Sequence, residues 1–292
     1  MNGKIIKGIA GFYYVHTGNA GVYECKAKGI FRNQKIKPHV GDDVELTVVD
    51  EATKKANIVS ILPRKNCLIR PAVANVDQAL VVFATTKPTP NLNLLDKLLV
   101  SMLRQQVECI ICFNKQDIAT SEQKEELEAI YGKSGIKLIP LSTVDNTGVE
   151  EVRNILKGKT TVLAGPSGVG KSSLVNLINP DSNMETGGLS EKIDRGKHTT
   201  RHSELFLIDE DSFICDTPGF TSLYLDDMSE TELREYYPEI YEYEGCCKFN
   251  GCVHINEPKC AVKEAVEEGI INRDRYENYM KIYEELKQNK KF

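Results

Sequence analysis

The run Gly165-Pro166-Ser167-Gly168-Val169-Gly170-Lys171-Ser172-Ser173 fits the pattern GxxxxGK[ST]. Glycines at that spacing let the backbone curl so that its N–H groups face a polyphosphate, and a following helix adds the positive end of its dipole. Lys171 would reach the β- and γ-phosphates and Ser172 would ligate Mg²⁺. The base is named elsewhere. Asn114-Lys115-Gln116-Asp117 ends an apolar run, at the strand edge where ligands sit in open α/β sheets. A carboxylate at Asp117 can accept from guanine N1–H and the exocyclic amine together, a donor pair adenine lacks. Asn114 and the stem of Lys115 would hold the edge and plane of the base. A second loop, Pro140-Leu141-Ser142, would offer a backbone N–H to guanine O6.

Two further segments fit a nucleoside triphosphate with Mg²⁺. Asp216-Thr217-Pro218-Gly219 reads DxxG, with Asp216 holding Mg²⁺ through water and the Gly219 N–H sensing the γ-phosphate. Residues 180–201 are rich in Gly, Ser, Asp and Thr and lack apolar periodicity, the composition of a loop that orders with ligand. Its end, Gly196-Lys197-His198-Thr199-Thr200, can supply a Thr hydroxyl to Mg²⁺, Thr200 first and Thr199 as the alternative. The residue after DxxG is Phe220, whose ring cannot orient an attacking water. His198, which can hydrogen-bond water near neutral pH, is the internal candidate for that role.

The order of these motifs is inverted. The guanine loops at 114 and 142 precede the phosphate loop at 165, which is followed by the Thr loop and by DxxG at 216. A circularly permuted domain accommodates this order, because both pieces still place their loops at one sheet edge.

Beyond the nucleotide motifs, Cys247, Cys252, His254 and Cys260 offer three thiolates and an imidazole, the donor set of a closed structural zinc site. Cys246 is an alternative to Cys247. Such a site would staple a small module with little core of its own. The CxxC at Cys109 and Cys112 lies in a strand, where i and i+3 face opposite sides, so these read as core thiols.

The elements that must position these groups fall into three textures. Residues 1–65 read as five short strands, 4–10, 13–16, 22–27, 44–49 and 56–62, punctuated by glycines. That predicts a small barrel of the OB type. Lys26, Lys28, Arg32, Lys35 and Lys37 with Tyr13, Tyr14, Tyr23 and Phe31 could meet single-stranded nucleic acid there, unless the aromatics are barrel core. Residues 66–225 alternate strand and helix: strands at 78–84, 108–113, 137–140, 160–163, 203–208 and 212–215, helices at 92–104, 121–131, 148–156 and 172–178. This predicts a mostly parallel sheet with helices on both faces. Residues 226–292 read as an acidic helix, the Cys/His cluster and a helical stretch over 261–286.

Charge supports the division. The first 65 residues carry a clear excess of Lys and Arg, while the whole chain has a formal net charge of −5, so the remainder is acidic. A basic leading segment on an acidic body suggests contact with a polyanion at one end. No apolar run approaches the length of a membrane span, and the start of the chain lacks a signal-peptide pattern. A cytoplasmic protein without a membrane partner is expected.

With NKQD at 114–117, GPSGVGKSS at 165–173, GKHTT at 196–200, DTPGF at 216–220 and the Cys/His cluster at 247–260, the chain resembles the RsgA (YjeQ/YloQ) family of circularly permuted GTPases along essentially its whole length. The resemblance implies an OB barrel, a permuted GTPase domain and a zinc module. It implies GTP hydrolysis stimulated by the small (30S) ribosomal subunit during its late maturation, through 16S rRNA and nearby proteins. It also implies that a hydrophobic residue replaces the water-positioning Gln, as Phe220 does, and that the switch histidine, His198, takes over. Mg²⁺ with GTP, one structural Zn²⁺ and a monomeric state complete the expectation. Two other readings compete: a GTP-regulated RNA-binding checkpoint whose hydrolysis is incidental, and a small-molecule kinase, against which NKQD argues.

Overall fold

The structure, a computed structural model, describes residues 1–27, 31, 37–69, 71–180, 204–216, 225 and 228–289. Its strands and helices are, in chain order, β1 (Asn2–Ile9), β2 (Phe12–His16), β3 (Val22–Ala27), β4 (Asp43–Asp50), β5 (Lys55–Ile61), β6 (Gln78–Ala84), α1 (Leu92–Arg104), β7 (Glu108–Asn114), α2 (Ser121–Tyr131), β8 (Lys137–Pro140), α3 (Val149–Leu156), β9 (Thr160–Ala164), α4 (Lys171–Ile178), β10 (Leu205–Leu207), β11 (Phe213–Asp216), α5 (Pro238–Tyr241), α6 (Ala261–Glu267) and α7 (Arg273–Asn289). Two compact units emerge. One joins Met1–Ala79, Glu150–Ala164 and Lys171–Pro218; the other joins Leu80–Val149, Gly165–Gly170 and Gly219–Phe292.

In the first unit β1 to β5 close into a barrel of order β1-β2-β3-β5-β4. Every pairing among the first four is a hairpin or an antiparallel closure, and β3 pairs with β5 in parallel. Alternation puts Ile5, Val15, Tyr23, Cys25, Val44, Leu46, Ala56 and Ile58 inside. Tyr23 and Phe31, candidates for stacking on nucleic acid, are buried and belong to this core, whereas Tyr13 and Tyr14 are half-buried. Lys28, Arg32 and Lys35 lie outside the described residues. Asp42, fully buried, is held by a two-pronged ion pair from Arg64, at 2.6 Å from Nε and 2.8 Å from Nη2.

The barrel continues into a strand group of order β10-β11-β9, with β11 parallel to β9 and antiparallel to β10. Lys7 of β1 forms both a backbone bridge and a 2.8 Å ion pair with Glu204. His16 lies edge-on to Phe213, 5.8 Å between ring centres, and its Nε2 is 3.4 Å from the Glu210 carbonyl.

The second unit carries β6-β7-β8, with β7 and β8 parallel. β6 is buried at every position, as expected of a strand covered on both faces. Its helices start where the sequence marks them. Asn91 caps α1 by accepting from the Leu94 N–H, and Thr120 with Gln123 forms a capping box on α2. The helical stretch expected over 261–286 is two helices. Gly269, at φ 72°, ends the first, and α7 begins four residues later at Arg273.

The C-terminal segment has its own core of Met228, Leu233, Tyr237, Ile240, Val262, Tyr276, Tyr279 and Ile282, into which Val100 of α1 projects. Beside it lies a cluster the motif reading had not found. Arg275 of α7 is 2% exposed and pairs with Asp96 of α1 and, at 2.7 Å, with Glu239 of α5. Tyr131 and Tyr237 donate to the two Asp96 carboxylate oxygens at 2.8 and 3.4 Å. The guanidinium also sits 5.0 and 4.5 Å from their ring centres. Asp96 falls on the apolar stripe of α1, between Leu92, Leu95, Leu99 and Val100. A carboxylate on that stripe signals a buried counter-charge.

Candidate nucleotide and metal sites

The NKQD loop and the glycine-rich loop over Gly165–Gly170, both in the second unit, are stitched together by one side chain. Asn114, fully buried at the end of β7, donates from Nδ2 to the Val169 carbonyl at 2.7 Å. A Cβ on Gly170 (φ 99°) would come 2.2 Å from that Nδ2, and one on Gly165 (φ 138°) 2.1 Å from the Val82 carbonyl. Glycine is therefore needed at both positions, since side chains there would also be strained. The Asn114 Oδ1 is buried with no hydrogen-bond partner among the described residues. A buried acceptor in that state marks a place for a ligand donor or water.

Asp117 is exposed, and its Oδ1 accepts from the Ser142 hydroxyl at 2.8 Å. The same Ser142 oxygen accepts from the Val144 and Asp145 N–H groups at 3.2 and 3.3 Å. Two loops, one after β7 and one after β8, thus meet at a carboxylate open to solvent. Lys115 adopts φ 67° and reaches back to donate to the Lys87 carbonyl at 2.6 Å. The Gln116 side chain turns toward β6, donating to Thr85 Oγ1 at 2.8 Å. Within the phosphate loop Ser167 and Gly168 are exposed while Val169 is buried.

In the first unit Lys171, Ser172 and Ser173 open α4, and Asp216 ends β11 opposite Leu163 of β9. His198, Thr199, Thr200, Gly219 and Phe220 lie outside the described residues. The CxxC thiols are buried and not joined to each other by a disulfide, and burial pushes Cys109 up to about 12, fitting core thiols.

The donor atoms of Cys247, Cys252, His254 and Cys260 all lie within 4.8 Å of one another, and all but Cys247 are buried. Cys247 and Cys260 sulfurs are 3.8 Å apart, and His254 Nδ1 is 3.6 and 3.3 Å from them. A tetrahedral zinc with ordinary bond lengths puts its sulfurs about 3.8 Å apart and sulfur about 3.5 Å from nitrogen. The residues therefore fit zinc. Burial lowers the His254 pKa, which keeps the ring neutral as a ligand must be. Backbone carbonyls of the loop are pinned by Tyr276 (to His254, 2.6 Å), Tyr279 (to Val253, 2.7 Å) and Arg234 (to Cys252, 2.9 Å). Cys246 is exposed and outside the cluster, so Cys247 is the residue the fold selects.

An NKQD loop bonded to a GxxxxGK[ST] loop that follows it in sequence, in a chain that also carries a closed barrel and a Cys/His cluster, defines a circularly permuted P-loop GTPase. The model of the RsgA GTPase family matches residues 61–226, and that of the RsgA N-terminal domain matches residues 2–55. The chain belongs to the RsgA GTPase family. It is 53% identical to the small ribosomal subunit biogenesis GTPase RsgA of Agathobacter rectalis, covering 100% of both chains. With the protein of the same name from Alkaliphilus metalliredigens the identity is 50%, over 99% of each. Among solved structures it is similar to YjeQ from Thermotoga maritima, with a TM-score of 0.85, 37% identity and 98% of each chain covered. Its TM-score against YloQ, a circularly permuted GTPase, is 0.82, with 38% identity over 99% of this chain and 95% of that one. Among the described residues no helix is long and apolar enough to cross a membrane.

Proposed function

We propose that this GTPase acts in maturation of the small ribosomal subunit, binding the subunit through 16S rRNA and nearby proteins and hydrolysing GTP faster when bound. The observation that carries the nucleotide reading is the bond from Asn114 to the Val169 carbonyl, which ties a guanine loop to a phosphate loop. Asp117 accepts from guanine N1–H and the amine, Asn114 and the Lys115 stem hold the base, and the loop at Ser142 supplies an N–H to O6. Residues 165–173 wrap the phosphates, with Lys171 as counter-charge. Ser172, Thr200 and Asp216 would hold Mg²⁺, which neutralises phosphate charge during transfer. The roles of Thr200, Gly219 and His198 rest on their motifs. His198 orients the attacking water in place of the Gln that Phe220 replaces.

The Cys/His cluster would hold one Zn²⁺ with no open position, so its work is structural. We place the domain boundaries after residues 65 and 225, and read the protein as a cytoplasmic monomer. The test is GTP hydrolysis with and without purified small subunits at two salt concentrations, since phosphate-backbone contacts weaken steeply with salt. Turnover should rise with subunits at the lower salt. An unchanged rate under every condition overturns the ribosomal reading, and unchanged stimulated turnover in His198→Ala overturns that residue's role.

A further inference from the structure

We infer that Thr85, which no nucleotide motif contains, is a positioning residue for guanine recognition, and that Gln116 serves it and not the base. Thr85 follows the last residue of β6 and is 3% exposed. Its N–H and its hydroxyl both donate to the Asn114 carbonyl, at 2.8 and 3.0 Å. The Thr85 oxygen in turn accepts from Gln116 Nε2 at 2.8 Å, and that same amide group donates to the Phe113 carbonyl at 3.0 Å. A closed ring of bonds thus runs from Thr85 to Asn114, along the guanine loop to Gln116, and back to Thr85.

The ring matters because Asn114 and Asp117 lie on either side of Gln116, where the chain leaves β7 for the loop. Asn114 must present its side chain to the Val169 carbonyl while its backbone leaves the strand. Lys115 then turns through φ 67°, a conformation uncommon for a residue other than glycine. Thr85 fixes the residue before that turn and, through Gln116, the residue after it. The Gln116 N–H is also tied, to the Leu141 carbonyl at 3.1 Å, so the loop after β8 that carries Ser142 is drawn into the same frame. The only hydroxyl in the ring with both a donor and an acceptor task is that of Thr85. Its removal leaves Gln116 with one partner fewer and lets the Asn114–Asp117 segment sample other arrangements before guanine binds.

This inference rests on the reading that Asn114 and Asp117 hold guanine, and the experiment separates the two. Thr85→Val, Thr85→Ser, Gln116→Met and Asp117→Asn are compared in the full-length protein by binding and dissociation of a fluorescent GDP analogue, and by the KM and kcat of GTP hydrolysis. Thr85→Val should weaken GDP binding about 3- to 10-fold, the factor one net hydrogen bond supplies. The change should appear in the dissociation rate and in KM, with kcat at saturating GTP altered less than twofold. Thr85→Ser should restore affinity, and Gln116→Met should weaken it in the same direction by a smaller factor. Asp117→Asn should lose GDP and gain xanthosine diphosphate. If Asp117→Asn binds GDP normally, the guanine-site reading fails. If it loses GDP while Thr85→Val binds normally, or if Thr85→Ser fails to rescue, or if kcat falls as far as affinity, the positioning role is overturned. Should Thr85→Val not fold, normal GDP binding by Gln116→Met overturns it instead.

Discussion

The two appended regions are fastened to the GTPase core by opposite kinds of contact. The barrel meets the β10–β11 strands through a half-exposed ion pair, Lys7 with Glu204, and a histidine laid against Phe213. The C-terminal segment meets α1 through a guanidinium and two carboxylates taken out of water, with two tyrosines closing the cage. Exposed pairs contribute about 0–1 kcal/mol and tolerate sliding. Buried pairs add little net stability, but losing one partner is costly, so they penalise every arrangement except the one that joins them. The barrel seam is suited to give, and the C-terminal seam to hold one register.

Metal removal should expose the contrast most strongly. Zinc-finger peptides gain about 10–16 kcal/mol from their metal, so Cys260→Ala or a strong chelator should unfold residues 245–289. Hydrogen exchange should then rise across α6 and α7 and leave β1 to β5 protected; equal loss in both regions would break the comparison. Next in size, Arg275→Met leaves Asp96 and Glu239 buried without a counter-charge and should cost about 3–5 kcal/mol. Exchange at α1 and α7 amides measures it, and Asp96→Leu with Glu239→Met in the same chain should recover most of the loss.

Lys7→Ala should cost about 0.2–1 kcal/mol at low salt and nothing measurable in 1 M salt, read from exchange at β1 and β10. The smallest effect is a pH dependence within the barrel. Burial first, and Arg64 second, lower the His39 pKa below its ordinary 6.5. The folded barrel therefore disfavours charged His39. Its contribution is complete above about pH 6.5 and is lost as pH falls through that value toward the lower folded pKa. The melting temperature of the barrel should drop between pH 7.5 and 5.5, and His39→Gln should flatten part of that slope.

Local rules carried far along this sequence. The buried strand β6, the helices α1 and α2 and the strand β8 fall at the residues expected from the alternation of strand and helix textures. The guanine and phosphate motifs were legible because their glycines and polar residues have few other uses at that spacing. Less visible were features made by residues distant in sequence. Tyr23 and Phe31 have the same composition whether they face RNA or the barrel core, and closure of the barrel decides it. The choice of Cys247 over Cys246 depends on which side chain the chain direction turns inward. Thr85 carries no motif, and its importance comes from the carbonyl of Asn114, a group the sequence does not display.

The Asp96–Arg275 pair joins residues 179 positions apart. At roughly 5–20 residues per second, a ribosome making this chain releases α1 about 10–40 s before Arg275 exists. Through that interval the Asp96 carboxylate has no guanidinium, and the second unit cannot settle into its finished packing. Chains that end before Arg275 lack the counter-charge that Asp96 has in the finished fold. A member of a ribosome-biogenesis family thus closes this buried pair only after another ribosome has made almost all of its chain.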